Sequence, residues 1–163
     1  MNRIRLITAM LVGICSASAL AQNPGQLSAQ QAAMRDKKAE AEALEKVEKI
    51  TVEELKSKLA KNEPVVIIDV RTTELHADSP SMITGAHHVK LRRLRHRLTL
   101  PPLKDIPKDR EIVTYCACPA EESSNRAAVV FKDAGYTRVR ALLGGWAAWQ
   151  KAGGPTGKKV KGM

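Results

Sequence analysis

Residues 65–70 constrain the fold more than any other segment of the chain. They read Val-Val-Ile-Ile-Asp-Val, a nearly continuous apolar run between Pro64 and Arg71. Such a run is typical of a strand in a parallel sheet that is covered on both faces. The remaining patterns alternate along the chain, with strands at 86–89, 112–116 and 139–143 and helices at 51–61, 124–134 and 146–151. This alternation predicts an α/β domain with a mainly parallel sheet flanked by helices.

The N-terminus has the layout of a secretory signal peptide. Arg3 and Arg5 supply a positive start, an apolar run follows at 6–20, and residues 19–21 (Ala-Leu-Ala) form a small-x-small cleavage site. Polar residues interrupt the run, which is also shorter than the ~20 residues of a spanning helix. This favours cleavage after Ala21 over an uncleaved anchor. We therefore expect a periplasmic or secreted protein without stable membrane insertion.

The charge of the chain is strongly positive. The full sequence carries a formal net charge of +10, and removal of residues 1–21, which hold two arginines and no acidic residue, leaves +8. A basic surface attracts anions in general. Aromatic residues make up only 3% of the chain, so a stacking platform for bases is missing and we expect no nucleic acid as partner.

Residues 22–49 are predicted to form a leader followed, from Leu27, by a charged helix. Glutamate and lysine stand four residues apart in the favourable order, as in Glu45 and Lys49. The apolar stripe of this helical extension is thin. Self-association, binding of a partner protein through 27–49 and a solvated spacer all remain open.

The predicted domain spans 50–155, and a basic tail follows at 156–163. Thr51 and Glu54 form a capping-box pattern at its start, which predicts that a helix begins at Val52.

Cys116 and Cys118 are the only cysteines after residue 21. A bridge between such close neighbours closes almost no loop, so it would stabilise the fold little, and the proximity of the two thiols predicts chemistry instead. Both thiols lie between a strand and a helix, where backbone N–H groups and the helix dipole favour a thiolate. Ser123 or Ser124 is predicted to cap that helix.

Several short motifs resemble the rhodanese family in their order and spacing. They are Asp-Val-Arg at 69–71, Ile-Thr-Gly-Ala at 83–86, Ala-Gly-Tyr at 134–136 and Leu-Gly-Gly-Trp-x-x-Trp at 143–149. The resemblance covers 50–155 and implies a five-stranded, mainly parallel sheet with a catalytic cysteine after the fourth strand. It also implies a sulfurtransferase without a cofactor. Such an enzyme takes sulfane sulfur from thiosulfate or a persulfide or polysulfide donor as a cysteine persulfide and passes it to a thiol or cyanide.

The resemblance leaves two candidates for the nucleophile. Counting forward along the strand aligns Tyr115-Cys116 with the family's Tyr-Cys, whereas counting back from a helix start at Ser124 selects Cys118. Pro119 removes a backbone N–H next to Cys118. This favours Cys116, with Cys118 as the alternative or as a resolving thiol.

The rest of the loop is predicted to bind the substrate. Its residues are Pro119, Ala120, Glu121, Glu122, Ser123 and Ser124. The two carboxylates depart from the basic loops of many family members, and they would raise the pKa of a nearby thiol and repel an anionic donor. Arg71 and Arg126 are candidate anion contacts. The basic run at 92–97 could border the pocket or form a solvated face.

Two other functions compete with sulfur transfer. One is a noncatalytic rhodanese-like module that binds a partner, and the other is a thiol redox or metal-handling protein that uses both cysteines. Cysteine and histidine suit copper or zinc. The adjacent residues His87 and His88 would point to opposite faces of a strand, however, so we predict no metal site.

Overall fold

A computed structural model describes residues 24–118 and 120–159, with side chains from residue 28 onward. The predicted signal peptide, Pro119 and residues 160–163 of the predicted tail lie outside the described residues. The chain divides between Lys37 and Lys38 into two compact units, which are treated separately below.

Helix α1 spans Pro24–Glu45 and crosses this division. In the first unit, residues 28–37 are exposed, and Met34 is 72% accessible. No helix within 24–118 and 120–159 is both long enough and apolar enough to span a bilayer.

The predicted continuation of this helix to Lys49 is wrong. The helix ends at Glu45, and strand β1 follows at Glu48–Ile50. Val47 and Ile50 are buried, and β1 pairs in parallel with β6 (Val139–Leu142). Burial of these two side chains in the second unit overrides the local preference of the charged segment for helix.

The second unit is the predicted α/β domain with a parallel five-stranded sheet. Its other elements are α2 (Val52–Ala60), β2 (Val65–Asp69), α3 (Thr73–Asp78), β3 (Met82–Ile83), β4 (His87–His88), a 3-10 turn (Leu91–Arg93), α4 (Leu94–Arg97), a second 3-10 turn (Leu103–Asp105), β5 (Glu111–Tyr115), α5 (Glu122–Asp133), α6 (Gly145–Lys151) and β7 (Thr156–Gly157). The sheet order is β1-β6-β5-β2-β4, and every pair is parallel. Strands β3 and β7 form a separate antiparallel pair.

Both faces of the sheet are covered, as the apolar run at 65–70 predicted. Ile68 and Ile112 pack on one face in a cluster with Phe131 of α5. Ile67 and Val113, their neighbours in sequence, pack on the other face with Trp149 of α6. The two-residue period of a strand sends successive side chains to opposite faces, so a strand buried on both is apolar at most of its positions.

The N-termini of α2 and α5 can be compared with the predicted N-caps. At α2, the Thr51 hydroxyl accepts a hydrogen bond from the Glu54 N–H at 3.1 Å, as predicted. The predicted serine cap of α5 is wrong, because this helix begins at Glu122, and Glu121, in the N-cap position, makes no capping bond with its side chain. Ser124 lies inside the helix, where its hydroxyl donates to the Glu121 carbonyl at 2.8 Å.

Candidate active site

The two cysteines lie at the carboxyl edge of the sheet. Strand β5, which sits between β6 and β2, ends at Tyr115, and Cys116 follows immediately. A loop then leads to α5 at Glu122. The carboxyl ends of parallel strands are where α/β proteins bind their ligands.

Cys116 and Cys118 are joined by a disulfide with a Cα–Cα distance of 5.7 Å. Cys116 is only 2% exposed, whereas Cys118 is half-buried. The Cys116 sulfur also lies 3.7 Å from the Ser124 hydroxyl oxygen. Both cysteines that the sequence singled out therefore belong to one centre, in which Cys118 is the more accessible residue.

The backbone of Cys116 is held by the start of α6. The Trp146 N–H donates to the Cys116 carbonyl at 2.8 Å. Gly145 has a φ of +53°, and a Cβ at this position would collide with the same carbonyl oxygen. The Gly-Gly-Trp motif thus reflects a close approach of α6 to the cysteine loop, which only glycine permits.

Glu121 ties the cysteine loop to two other segments. Its carboxylate accepts hydrogen bonds from the Lys49 ammonium at 2.7 Å and from the Gly144 N–H at 2.5 Å. Its own N–H donates to the Cys118 carbonyl at 3.1 Å. The charge of this carboxylate is therefore compensated by Lys49, a residue that the sequence analysis assigned to the helical extension and not to the site.

Replacing Glu121 with alanine is expected to lower the free energy of unfolding by about 1–3 kcal/mol, because the hydrogen bonds of its buried carboxylate to the Gly144 N–H and the Lys49 ammonium are lost, while Lys49 keeps its bond to Asn125. Urea unfolding measures the change. Glu122→Ala is the matched control, since the Glu122 carboxylate is exposed and pairs with Arg126 in the same helix. Equal stability of the two variants would contradict the proposed role of Glu121.

The remaining described residues of the predicted loop differ in how far they are buried. Ala120 and Glu122 are exposed, Ser123 is half-buried, and Ser124 is buried. Arg126, predicted as an anion contact, is exposed and pairs with the carboxylates of Glu122 at 3.0 Å and Glu40 at 3.9 Å.

Arg71, the other predicted anion contact, lies in the core beneath the site. Its guanidinium pairs with Asp69, with a shortest N–O distance of 2.7 Å, and stacks 4.5 Å from the centre of the Trp146 ring. The Tyr115 hydroxyl donates to the same carboxylate at 2.9 Å. Burial alone would raise the pKa of Asp69, but the hydrogen bonds and charge of Arg71 outweigh it and the pKa is lowered. The charge of Arg71 is therefore compensated by Asp69 inside the protein, and Arg71 also lines the groove beside the cysteine loop.

Two histidines adjoin this buried ion pair. The rings of His76 and His88 stack with 3.8 Å between their centres, and His76 Nδ1 lies 3.2 Å from Asp69 Oδ2. Potential ligand atoms of Asp69, His76 and His88 all lie within 4.8 Å of one another. The Arg71 guanidinium, however, is 3.4 Å from His76 Nδ1, so a metal ion would face a fixed positive charge. We regard this group as a hydrogen-bonded network that orders the site.

Stability is expected to fall on acidification through the titration of His76. Burial and the neighbouring His88 lower the pKa of His76 below its ordinary value of 6.5. The unfolded chain therefore binds the proton more readily, and the free energy of unfolding should decrease as pH drops through 6.5. Urea unfolding of wild type and His76→Gln between about pH 7.5 and pH 5 should give a shallower dependence for the variant. Identical slopes would rule out this contribution.

A basic groove opens beside the cysteine loop. It is lined by Ser123 of α5, by Thr72, Thr73 and Glu74 at the start of α3, and by Lys90 and Arg92 near the first 3-10 turn. The pKa of Glu74 is lowered by hydrogen bonds from its own N–H and from Thr72, and further by the charges of Lys90 and Arg92. Arg92 thus brings the predicted basic run to the edge of the loop, and Lys90 is a site residue that the sequence analysis missed.

The fold and this site define a class: small α/β domains that carry cysteines on the loop after a central strand of a parallel sheet. The chain belongs to the rhodanese family, because the family described as the rhodanese-like domain matches residues 51–152. The matched region includes both cysteines, Arg71 and the closing Gly-Gly-Trp motif.

Known proteins place the chain within this family. It is 35% identical over 109 residues to a sulfurtransferase of Allochromatium vinosum, and the match covers 67% of this chain and 94% of the relative. The rhodanese-like domain of an Anabaena sp. protein is 30% identical with a TM-score of 0.56, covering 71% of this chain and 79% of that one. A human single-domain sulfurtransferase shares the fold with a TM-score of 0.54 at 23% identity, covering 63% and 95%.

Proposed function

We propose that the protein is a rhodanese-type sulfurtransferase that carries sulfane sulfur as a persulfide on the loop of Cys116 and Cys118. The observation that carries this proposal is the position of both thiols between β5 and α5, at the carboxyl edge of the sheet. The family and its sulfurtransferase relative support sulfur transfer in general. The cysteine pair gives that function a reactive group in this chain.

The two sulfurs differ in their suitability as the first nucleophile. The strand register favours Cys116, but Cys116 is 2% exposed, whereas Cys118 is half-buried on the loop. A donor must bring its sulfane sulfur into line with the attacking thiolate. We therefore propose that Cys118 accepts the sulfur and that Cys116 lies behind it.

The donor is proposed to be a small sulfur anion, such as thiosulfate, a polysulfide or a low-molecular-weight persulfide, and the acceptor a thiol or cyanide. The loop carboxylates repel an anionic donor less than the sequence predicted, because the charge of Glu121 is compensated by Lys49. Lys90 and Arg92 add positive charge to the groove that Ser123 borders. Positive charge lining a cleft raises the local concentration of anions.

Thiocyanate formation from cyanide tests the proposed activity. The protein is first reduced with a dithiol and freed of it, and thiosulfate or inorganic polysulfide is then supplied as donor. We expect sustained turnover by Cys116→Ser, turnover by wild type until its two cysteines close the disulfide, and none by Cys118→Ser or the double variant. Asp133→Ala, which changes an exposed residue outside the loop, is the control and should retain turnover. Absence of thiocyanate from every protein with both donors would refute the function.

We also propose that the protein is exported and that its helical extension binds a partner. Cleavage after Ala21 would deliver the domain to the periplasm or the medium, where a disulfide such as Cys116–Cys118 persists more readily than in the cytosol. The exposed residues 28–37 leave the helical extension available for self-association or a partner protein.

A further inference from the structure

The cysteine loop contains one thiol more than simple sulfur transfer requires. A sulfurtransferase needs a single cysteine to hold a persulfide, yet here a second sulfur is within bonding contact of the first. A role for this second thiol follows from the geometry of the loop and rests on the proposed sulfurtransferase function.

We propose that Cys116 resolves the persulfide on Cys118, so that the protein reduces sulfane sulfur to hydrosulfide. The Cys116 sulfur attacks the inner sulfur of the persulfide and forms the Cys116–Cys118 bond. The bond between Cys118 Sγ and the outer sulfur breaks, and the outer sulfur leaves as hydrosulfide with the proton from Cys116. The two cysteine thiols together lose two electrons, and the sulfane sulfur gains two.

The separation of the two cysteines fits this reaction. Their Cα atoms are 5.7 Å apart, inside the range of about 4.4–6.8 Å found for disulfides. Cys118 is half-buried and reachable by a donor, whereas Cys116 is 2% exposed and reachable mainly from Cys118. The Cys116 sulfur also lies 3.7 Å from the Ser124 hydroxyl oxygen and 4.0 Å from the Cys118 carbonyl oxygen.

Both ends of the loop are anchored so that the two sulfurs stay together. The Cys116 carbonyl accepts the Trp146 N–H, and the Cys118 carbonyl accepts the Glu121 N–H. Glu121 is itself fixed by Lys49 and Gly144. Holding two reacting groups in place in this way makes the intramolecular attack compete well with external acceptors.

Each cycle leaves a disulfide, so the protein needs an external dithiol as co-reactant. Its thiolate would attack the more exposed Cys118 sulfur, release Cys116 as a thiol and then close its own disulfide, which frees Cys118. The cycle therefore belongs with a reaction that supplies reduced dithiols and with one that consumes hydrosulfide.

A single-turnover experiment tests the resolving role. Reduced protein, freed of dithiol, is mixed with one equivalent of thiosulfate, whose leaving group on sulfur transfer is sulfite and not hydrosulfide. Hydrosulfide is trapped with an alkylating reagent, and the intact mass of the protein is recorded. Wild type should release about one hydrosulfide per chain and end as the disulfide. Cys116→Ser and Cys116→Ala should release none and retain one added sulfur atom, which cyanide removes.

The outcomes separate the inference from the proposed function. If wild type retains the added sulfur as stably as Cys116→Ser, Cys116 does not resolve it. If Cys118→Ser holds sulfur while Cys116→Ser takes none, the assigned roles are overturned. If no protein takes up sulfur or releases hydrosulfide, the sulfurtransferase function itself fails. Circular dichroism of both Cys116 variants checks that they are folded, and agreement between serine and alanine excludes an effect of the buried hydroxyl.

Discussion

Replacing Asp69 with alanine lowers the free energy of unfolding by about 3–5 kcal/mol if the buried ion pair is organised as the structure shows. The side chains of Asp69 and Arg71 are both 0% exposed. Removal of the carboxylate would leave the Arg71 guanidinium buried without a counter-charge, and the Tyr115 hydroxyl would lose its acceptor. A buried charge without a partner costs far more than the pair contributes.

Urea unfolding at neutral pH measures this loss. Asp133→Ala provides the matched control, because it also removes an aspartate that pairs with an arginine, Arg95, but both side chains are exposed. We expect about 0–1 kcal/mol for the control. Comparable losses in the two variants would show that Arg71 is not held as described.

The second large effect concerns the redox state of the loop. Protein isolated with the Cys116–Cys118 disulfide intact should produce no thiocyanate from cyanide and a sulfane donor, because neither sulfur is then a free thiolate. Treatment with a dithiol should restore the initial rate of thiocyanate formation, because it frees both thiols. Initial rates of thiocyanate formation before and after reduction give the comparison.

Cys116→Ser is the control for this redox effect. It retains the proposed acceptor Cys118 but cannot form the bridge, so it should be active without reduction when prepared in the same way. Turnover by the bridged wild type, or an equal requirement for reduction in Cys116→Ser, would contradict inhibition by the disulfide.

Much of the fold could be predicted from the sequence because its signals are local. The apolar run at 65–70 fixes a strand buried on both faces, and the Thr51 hydroxyl caps the helix that its spacing with Glu54 predicted. Most of the short elements between 73 and 105 carry no such signal, although β4 falls inside the strand predicted at 86–89. Helix α4, for example, has four residues, too few for a helical period to be recognised.

The errors at the site arise from contacts between segments distant in sequence. Lys49 follows a charged helix and was assigned to it, yet Val47 and Ile50 beside it are buried, and it pairs with Glu121, 72 residues away. Because the sequence does not show this pairing with Lys49, it predicted that the Glu121 carboxylate would repel an anionic donor. The left-handed backbone of Glu121, with a φ of 55°, also displaces the start of α5 from the serines that favour an N-cap.

Arg71 and Arg126 stay predicted anion contacts, but the ion pairs that they form were not anticipated. A sequence motif identified Arg71 as part of the site, but its partner Asp69 stands only two residues away, and only the structure shows both charges buried together. Lys90, in contrast, belongs to no motif. It joins the groove beside the loop because β4 ends next to β2 at the carboxyl edge of the sheet.

Persulfide formation on the cysteine loop is tested most directly by intact-mass spectrometry of Cys116→Ser, Cys118→Ser and the double variant. Each protein is reduced, freed of reductant and incubated with thiosulfate and, separately, with inorganic polysulfide. We predict that Cys116→Ser gains one sulfur atom that cyanide removes, while the double variant gains none. Absence of a cyanide-removable sulfur from both single variants, or an equal gain by the double variant, would contradict sulfur transfer through Cys116 and Cys118.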